Sequence, residues 1–141
     1  MTASLLFPLV GGNGNDVLLG GSHNDSLSGG QGNDRLSGYA TTGLGTTEFD
    51  TLTGGKGSDT FILGGSWGVS YLGDGYATIT DWQASSDRIE VSGDLNQYSL
   101  QSANLSGTSA LDLGIYYNND LVGIVQDSTN VTIEQHFISV A

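Results

Sequence analysis

A nine-residue period runs through the first half of the chain and sets narrow limits on its fold. Aligned on paired glycines, the units read GGNGNDVLL (11–19), GGSHNDSLS (20–28) and GGQGNDRLS (29–37). A fourth unit starts at Gly38, carries an insertion at about 39–48 and resumes as FDTLT to Thr53; a fifth, GGKGSDTFI, spans 54–62. The sixth place is aspartate throughout (Asp16, Asp25, Asp34, Asp50, Asp59) and the eighth is large and apolar (Leu18, Leu27, Leu36, Leu52, Phe61), with Leu9 in phase ahead of them. Glycine at this density permits positive φ, so six residues can form a tight loop whose main-chain groups converge on an ion, and three remain for a strand. Side chains alternate across a strand, so only the eighth place points inward. One apolar residue per unit makes a core only if units stack. With two units per turn of a flattened helix, units one, three and five superpose on one side, and two and four on the other.

Composition says what such a stack must overcome. The chain has 23 glycines among 141 residues, each losing more backbone freedom on ordering than any other residue. Its 15 acidic residues outnumber 3 basic ones, giving a net charge of −12, which disfavours nucleic acid and anionic membranes as partners. Low hydrophobicity with high net charge is the signature of disorder unless a cation gathers the carboxylates. Cysteine is absent, so neither disulfides nor thiolate zinc sites can hold the loops; a metal bound through oxygen can. The apolar start, MTASLLFPLV, lacks the basic flank and small-residue cleavage site of a signal peptide, and no stretch approaches a membrane span.

The repeats resemble the RTX (repeat-in-toxin) proteins, whose G-G-x-G-x-D-x-U-x consensus is a calcium-binding β-helix repeat, over about residues 11–62. The resemblance implies an all-β fold, a parallel β-roll, with two or more calcium ions between loops of units n and n+2. Each ion takes main-chain carbonyls from the first and third places of one loop, from the second and fourth of the other, and both aspartates. Carried onto this chain, that implies Gly11, Asn13 and Asp16 with Gly30, Gly32 and Asp34, then Gly29, Gln31 and Asp34 with Gly55, Gly57 and Asp59. Asp34 is shared by both sites. A further odd-side site pairs Asp59 with Asp81 or Asp87. The even side departs from the pattern: His23 stands at a fourth place and Tyr39 at a second place, both glycine in the consensus. The insertion also separates that loop from Asp50, so no full site is expected between Asp25 and Asp50.

Beyond Gly64 the period dissolves into a degenerate copy, GGSWGVSYL, and then into a stretch like the closing segment that follows RTX repeats. Alternation in Ile79–Trp82 and Arg88–Val91 predicts two strands, and Asn118, Asn119 and Asp120 mark a hairpin turn. These features predict an antiparallel β cap over 73–141 on a roll of 1–72, since an uncapped solenoid leaves strand edges unpaired. Gly64–Gly65–Ser66–Trp67–Gly68 matches the G-x-S-x-G nucleophile elbow, but no strand-turn-helix context surrounds it, so no enzyme is expected. His136 beside Glu134 reads as a half-buried strand residue rather than a metal ligand. Trp67, Trp82, Tyr71 and Tyr76 read as packing at the junction of roll and cap rather than as a sugar platform. Thr51 and Thr53 form a single TLT, too little for an ice-binding face.

The final HFISVA, apolar and preceded by an acidic residue, is similar to uncleaved type I secretion signals. The expected protein is therefore a secreted, extracellular, monomeric calcium-binding module, a client of type I secretion machinery. It would stay unfolded at cytosolic calcium and fold outside the cell, with affinities of about 10⁻⁴ to 10⁻³ M. The alternative is a calcium-stabilised structural or adhesive protein presenting its insertion or aromatic junction to a surface or glycan.

Overall fold

The computed structural model describes residues 8–39, 47–105 and 108–140. The strands are β1 (Pro8–Gly12), β2 (Val17–Leu19), β3 (Ser26–Gly30), β4 (Arg35–Ser37), β5 (Phe49–Thr53), β6 (Thr60–Ile62), β7 (Gly64–Gly65), β8 (Gly68–Val69), β9 (Tyr76–Ile79), β10 (Arg88–Ser92), β11 (Tyr98–Ala103), β12 (Asp112–Tyr117), β13 (Asp120–Val125) and β14 (Phe137–Val140). A single helical turn, Ile133–His136, precedes the last strand.

Odd-numbered units supply one sheet and even-numbered units the other. The first sheet runs β14-β10-β6-β4-β2 and is parallel throughout; the second runs β1-β3-β5-β9-β13-β12-β11 and is parallel from β1 to β13. The register is fixed by the eighth-place residues. Leu18, Leu36, Phe61, Ile89 and Phe137 lie side by side on one wall. Leu9, Leu27, Leu52, Ile79 and Val125 do so on the other. All ten belong to one buried core. A one-residue slip would turn such a row out to solvent, so five rungs in phase specify the stacking strongly.

Two segments interrupt the coil. β7 and β8 form a two-residue antiparallel hairpin, with Gly65 pressed beneath the Trp67 ring. Ser66 is exposed at its tip, a different setting from a nucleophile elbow. The second interruption is β11 and β12, which pair antiparallel with each other, while β12 pairs antiparallel with β13 through a turn in which Asn118 has φ 56°. The antiparallel cap is thus confined to the end of one sheet. A boundary at residue 73 does not coincide with the change in pairing: β9 and β10 continue the parallel rungs, and β13 and β14 add a fifth layer after the cap strands. Ile79 and Ile89 keep the inward apolar place although the glycines and period that announced it have gone.

Trp82 ties this end together. Its indole N–H donates to the Asn130 carbonyl at 2.9 Å, and its ring meets His136 edge-on at 5.2 Å. His136 is itself committed, accepting the Thr132 N–H at Nδ1 and bonded through Nε2 to the Ala84 carbonyl.

Candidate metal centre

The loops between the sheets are glycine-rich because their path demands it. Second- and fourth-place glycines take φ between 86° and 108° at Gly12, Gly14, Gly30, Gly32, Gly55 and Gly57. In this conformation the second-place carbonyls point along the stack: Gly12 O accepts the Gln31 N–H and Gly30 O accepts the Lys56 N–H, each at 2.9 Å. Gly14 O and Gly32 O press in the same way on Gly32 and Gly57, leaving no room for a Cβ at either glycine.

Side chains of the fifth and sixth places lace the layers together in opposite directions. Asn15 Oδ1 accepts the Asn33 N–H, and Asn33 Oδ1 accepts the Ser58 N–H, at 2.7 and 2.8 Å. Running the other way, the N–H groups of Asp16, Asp34 and Asp59 donate to Oδ1 of Asp34, Asp59 and Asp87 at 2.8, 2.9 and 3.0 Å. One oxygen of Asp34 and one of Asp59 are therefore structural. Oδ2 is not: on Asp16, Asp34 and Asp59 it is buried and has no hydrogen-bond partner among the described residues. Burying a carboxylate oxygen without a partner is expensive, so it requires a proton or a cation. Burial pushes the Asp59 carboxyl up to about 6 against the opposing Asp34 N–H bond, with Asp87, Asp34 and Asp81 adding like charge.

These free oxygens meet main-chain carbonyls of the next layer. An ideal Cβ on Gly11 would lie 2.7 Å from both Asp16 Oδ2 and the Gly29 carbonyl; one on Gly29 would crowd Asp34 Oδ2 and the Gly54 carbonyl in the same way. Hard, oxygen-only donors gathered from two loops are the chemistry that calcium takes. No three His, Cys, Asp or Glu side chains among the described residues form a metal site by themselves, consistent with a shell supplied half by the main chain. The donors fit the ion.

The odd side thus brings together Asp16, Asp34, Asp59 and Asp87. Asp87 occupies the aspartate place of a fourth layer, with its second oxygen taken by the Gln83 N–H at 2.8 Å. Asp81 stands apart from this row, its two oxygens accepting the N–H groups of Gly54 and Gly55 at 2.9 and 2.7 Å. It clamps the fifth loop rather than continuing the ladder. The register Thr60 to Arg88 puts Trp82 where Gly54 stands one layer earlier, so the glycine cradle ends there.

On the even side the expected separation of Asp25 from Asp50 does not occur. The Asp25 N–H donates to Asp50 Oδ1 at 2.7 Å, and Leu27 pairs with Leu52 in β3 and β5. After the insertion the chain is again in register with the second unit. Of the insertion, 40–46 lie outside the described residues. Sequence reasoning missed Glu48, at the fourth place of this unit and 1 % exposed, and it read Tyr71 only as junction packing, whereas Tyr71 is fully buried and donates its O–H to Asp50 Oδ2 at 2.6 Å. The Glu-x-Asp spacing of Glu48 and Asp50 was the available signal for the first; nothing local marks the second.

Fold and ladder together define a calcium-binding β-roll. The family model of the RTX calcium-binding nonapeptide repeat, in four copies, matches residues 9–36 and 37–66, so this part of the chain carries such repeats. Its repeats bind several calcium ions. Among solved structures, the R3 subunit of AlgE6, a mannuronan C5-epimerase of Azotobacter vinelandii, is similar at 25 % identity and a TM-score of 0.61, over 93 % of this chain and 76 % of that one. Comparison with curated proteins finds no match. Among the described residues no helix is long and apolar enough to cross a membrane.

Proposed function

We propose that this chain is a calcium-driven folding module of a secreted protein, without catalytic activity of its own, that becomes ordered when it meets extracellular calcium. The observation that carries this reading is the row of buried, unpartnered Oδ2 atoms on Asp16, Asp34 and Asp59. A chain with such a row is poorly stable without a cation and gains its loops and its stacking together when one binds. Two odd-side ions are assigned, one held by Asp16 and Asp34 with the carbonyls of Gly11, Asn13, Gly30 and Gly32. The other is held by Asp34 and Asp59 with those of Gly29, Gln31, Gly55 and Gly57. Low cytosolic calcium keeps the chain threadable for export through type I machinery, and the folded roll stabilises whatever it is attached to.

The test is a calcium titration of chelator-stripped protein by circular dichroism and calorimetry, with magnesium as control. A cooperative gain of β structure at sub-millimolar to millimolar calcium, absent with magnesium, is expected. Asp34→Ala, which strips a ligand from both odd-side sites, should lose two ions. Full β structure in chelator, unchanged by calcium, would overturn the reading. A second reading, a calcium-stabilised structural or adhesive module, is favoured by the likeness to a subunit of a polysaccharide-modifying enzyme. Retention on immobilised mannuronan only with calcium present would support it.

A further inference from the structure

The fifth-place asparagines of the loops are chemically quiet because the fold holds both groups that could react. The side-chain oxygens of Asn15, Asn24 and Asn33 accept main-chain N–H groups of the next layer, from Asn33, Phe49 and Ser58, at 2.7, 2.8 and 2.8 Å. The residues that follow them, Asp16, Asp25 and Asp34, donate their own N–H groups to Asp34, Asp50 and Asp59 at 2.8, 2.7 and 2.9 Å. An asparagine loses its amide when the nitrogen of the next residue attacks the side-chain carbonyl carbon, an intramolecular step that needs the two brought into contact and aligned. With amide and nucleophile each tied to another layer, these three are kept from that geometry.

Asn13 differs on each count. It is the one asparagine in the chain followed by glycine. Asn13 and Gly14 are both exposed, and among the described residues no hydrogen bond holds the Asn13 side chain or the Gly14 N–H. Gly14 has φ 95°, with nothing within 4 Å of the place a Cβ would take, so no side chain shields its nitrogen. The same place of the repeat holds Gln31 in the third unit and Lys56 in the fifth, so the reactive pair is peculiar to the first loop.

We propose that Asn13–Gly14 is a self-modification site whose rate calcium sets: without the ion the pair cyclises and opens to isoaspartate and aspartate, and with the ion bound it stays intact. The Gly14 nitrogen bonds to Asn13 Cγ and yields its proton to solvent base, the Cγ–Nδ2 bond breaks with loss of ammonia, and water opens the succinimide at either carbonyl. The sum is amide plus water to acid plus ammonia. The control rests on reading the repeats as calcium loops, which gives the Asn13 main-chain carbonyl to the first odd-side ion. Swinging the Gly14 nitrogen towards Cγ turns the same planar peptide that carries this carbonyl, so an ion on its oxygen opposes the reaction directly. The path on either side is already pinned, Gly12 O by the Gln31 N–H at 2.9 Å and Gly14 O against Gly32. Isoaspartate adds a methylene to the main chain between the third and fourth places and displaces the ligand carbonyl, so the first odd-side ion is lost. Aspartate leaves the main-chain path unchanged.

The test ages the full chain at mildly alkaline pH in calcium, in magnesium or in chelator. Fragment mass spectrometry that separates isoaspartate from aspartate then reads each asparagine, and native mass spectrometry counts bound ions. In chelator Asn13 should convert at least tenfold faster than Asn15, Asn24 or Asn33, and calcium but not magnesium should slow it at least tenfold. The isoaspartate form should hold one calcium fewer than fresh protein, while Asn13→Asp and Asn13→Gln load as wild type does. Equal rates at Asn13 in calcium and in chelator, from a chain that gains β structure with calcium, overturn the proposal and leave the calcium-module reading intact. No conversion at Asn13 in chelator, or an isoaspartate form that keeps every ion, overturns it as well. A chain that binds no calcium yet converts at Asn13 overturns the calcium-module reading and the calcium control together.

Discussion

His23 shows how closely the loop path constrains residue identity. It occupies the fourth place of the second unit with φ 81°, in the region that Gly14, Gly32 and Gly57 enter at their fourth places without steric cost. A side chain held there is strained by about 1–3 kcal/mol. His23 is exposed, so replacing it with glycine removes strain without opening a cavity. His23→Gly should raise calcium-loaded stability by about 1 kcal/mol in urea unfolding, less whatever glycine adds to the entropy of the unfolded chain. Unchanged or lower stability would mean that the imidazole has a partner in the folded loop. Tyr39 follows the opposite course: at a second place where Gly12, Gly30 and Gly55 have positive φ, it does not adopt it.

At the level of strands and loops, the eighth-place rows fix what each element can do. Phe61 is fully buried between Leu36 and Ile89, and its ring faces Trp82 at a centroid distance of 6.3 Å. Phe61→Ala should therefore cost about 3–5 kcal/mol and uncouple the repeat layers from the closing layers, since it empties the rung between them. Two calcium-dependent transitions in place of one, by near-UV and far-UV circular dichroism, would report that uncoupling; a single transition shifted as a whole would show that the layers stay coupled. The same rows explain how much was legible in the sequence. Glycine, aspartate and leucine at constant spacing disclosed the roll, its two sides and the odd-side aspartates, because each repeat states the same local rule. The fourth and fifth layers keep the inward apolar place, at Ile79, Ile89, Val125 and Phe137, with Asp87 alone repeating the ladder aspartate, and so little per rung, separated by inserted strands, leaves no period to find. The Tyr71 bond to Asp50 spans 21 residues and depends on the fold bringing them together.

For the molecule as a whole, protons and calcium compete for the same oxygens. Burial raises the carboxyl of Asp25 to about 7 and that of Asp59 to about 6, and it raises Asp50 and Asp87 as well, from an ordinary value of 3.8. Between about pH 4 and pH 7 the metal-free fold then holds more protons than the unfolded chain. Its stability is highest at the acid end of that window and falls as pH rises, in the same direction as the self-repulsion of a chain with a net charge of −12. Calcium needs the ionised carboxylates, so loading the folded protein must expel those protons, and apparent affinity climbs across the window in which metal-free stability declines. Calorimetric titration in buffers of different ionisation enthalpy separates this from general repulsion. Calcium binding at pH 6 should release protons, and the number should fall towards zero by pH 8. Repulsion alone predicts no such release at pH 6, so its absence would show that the buried carboxylates are already ionised before the cation arrives.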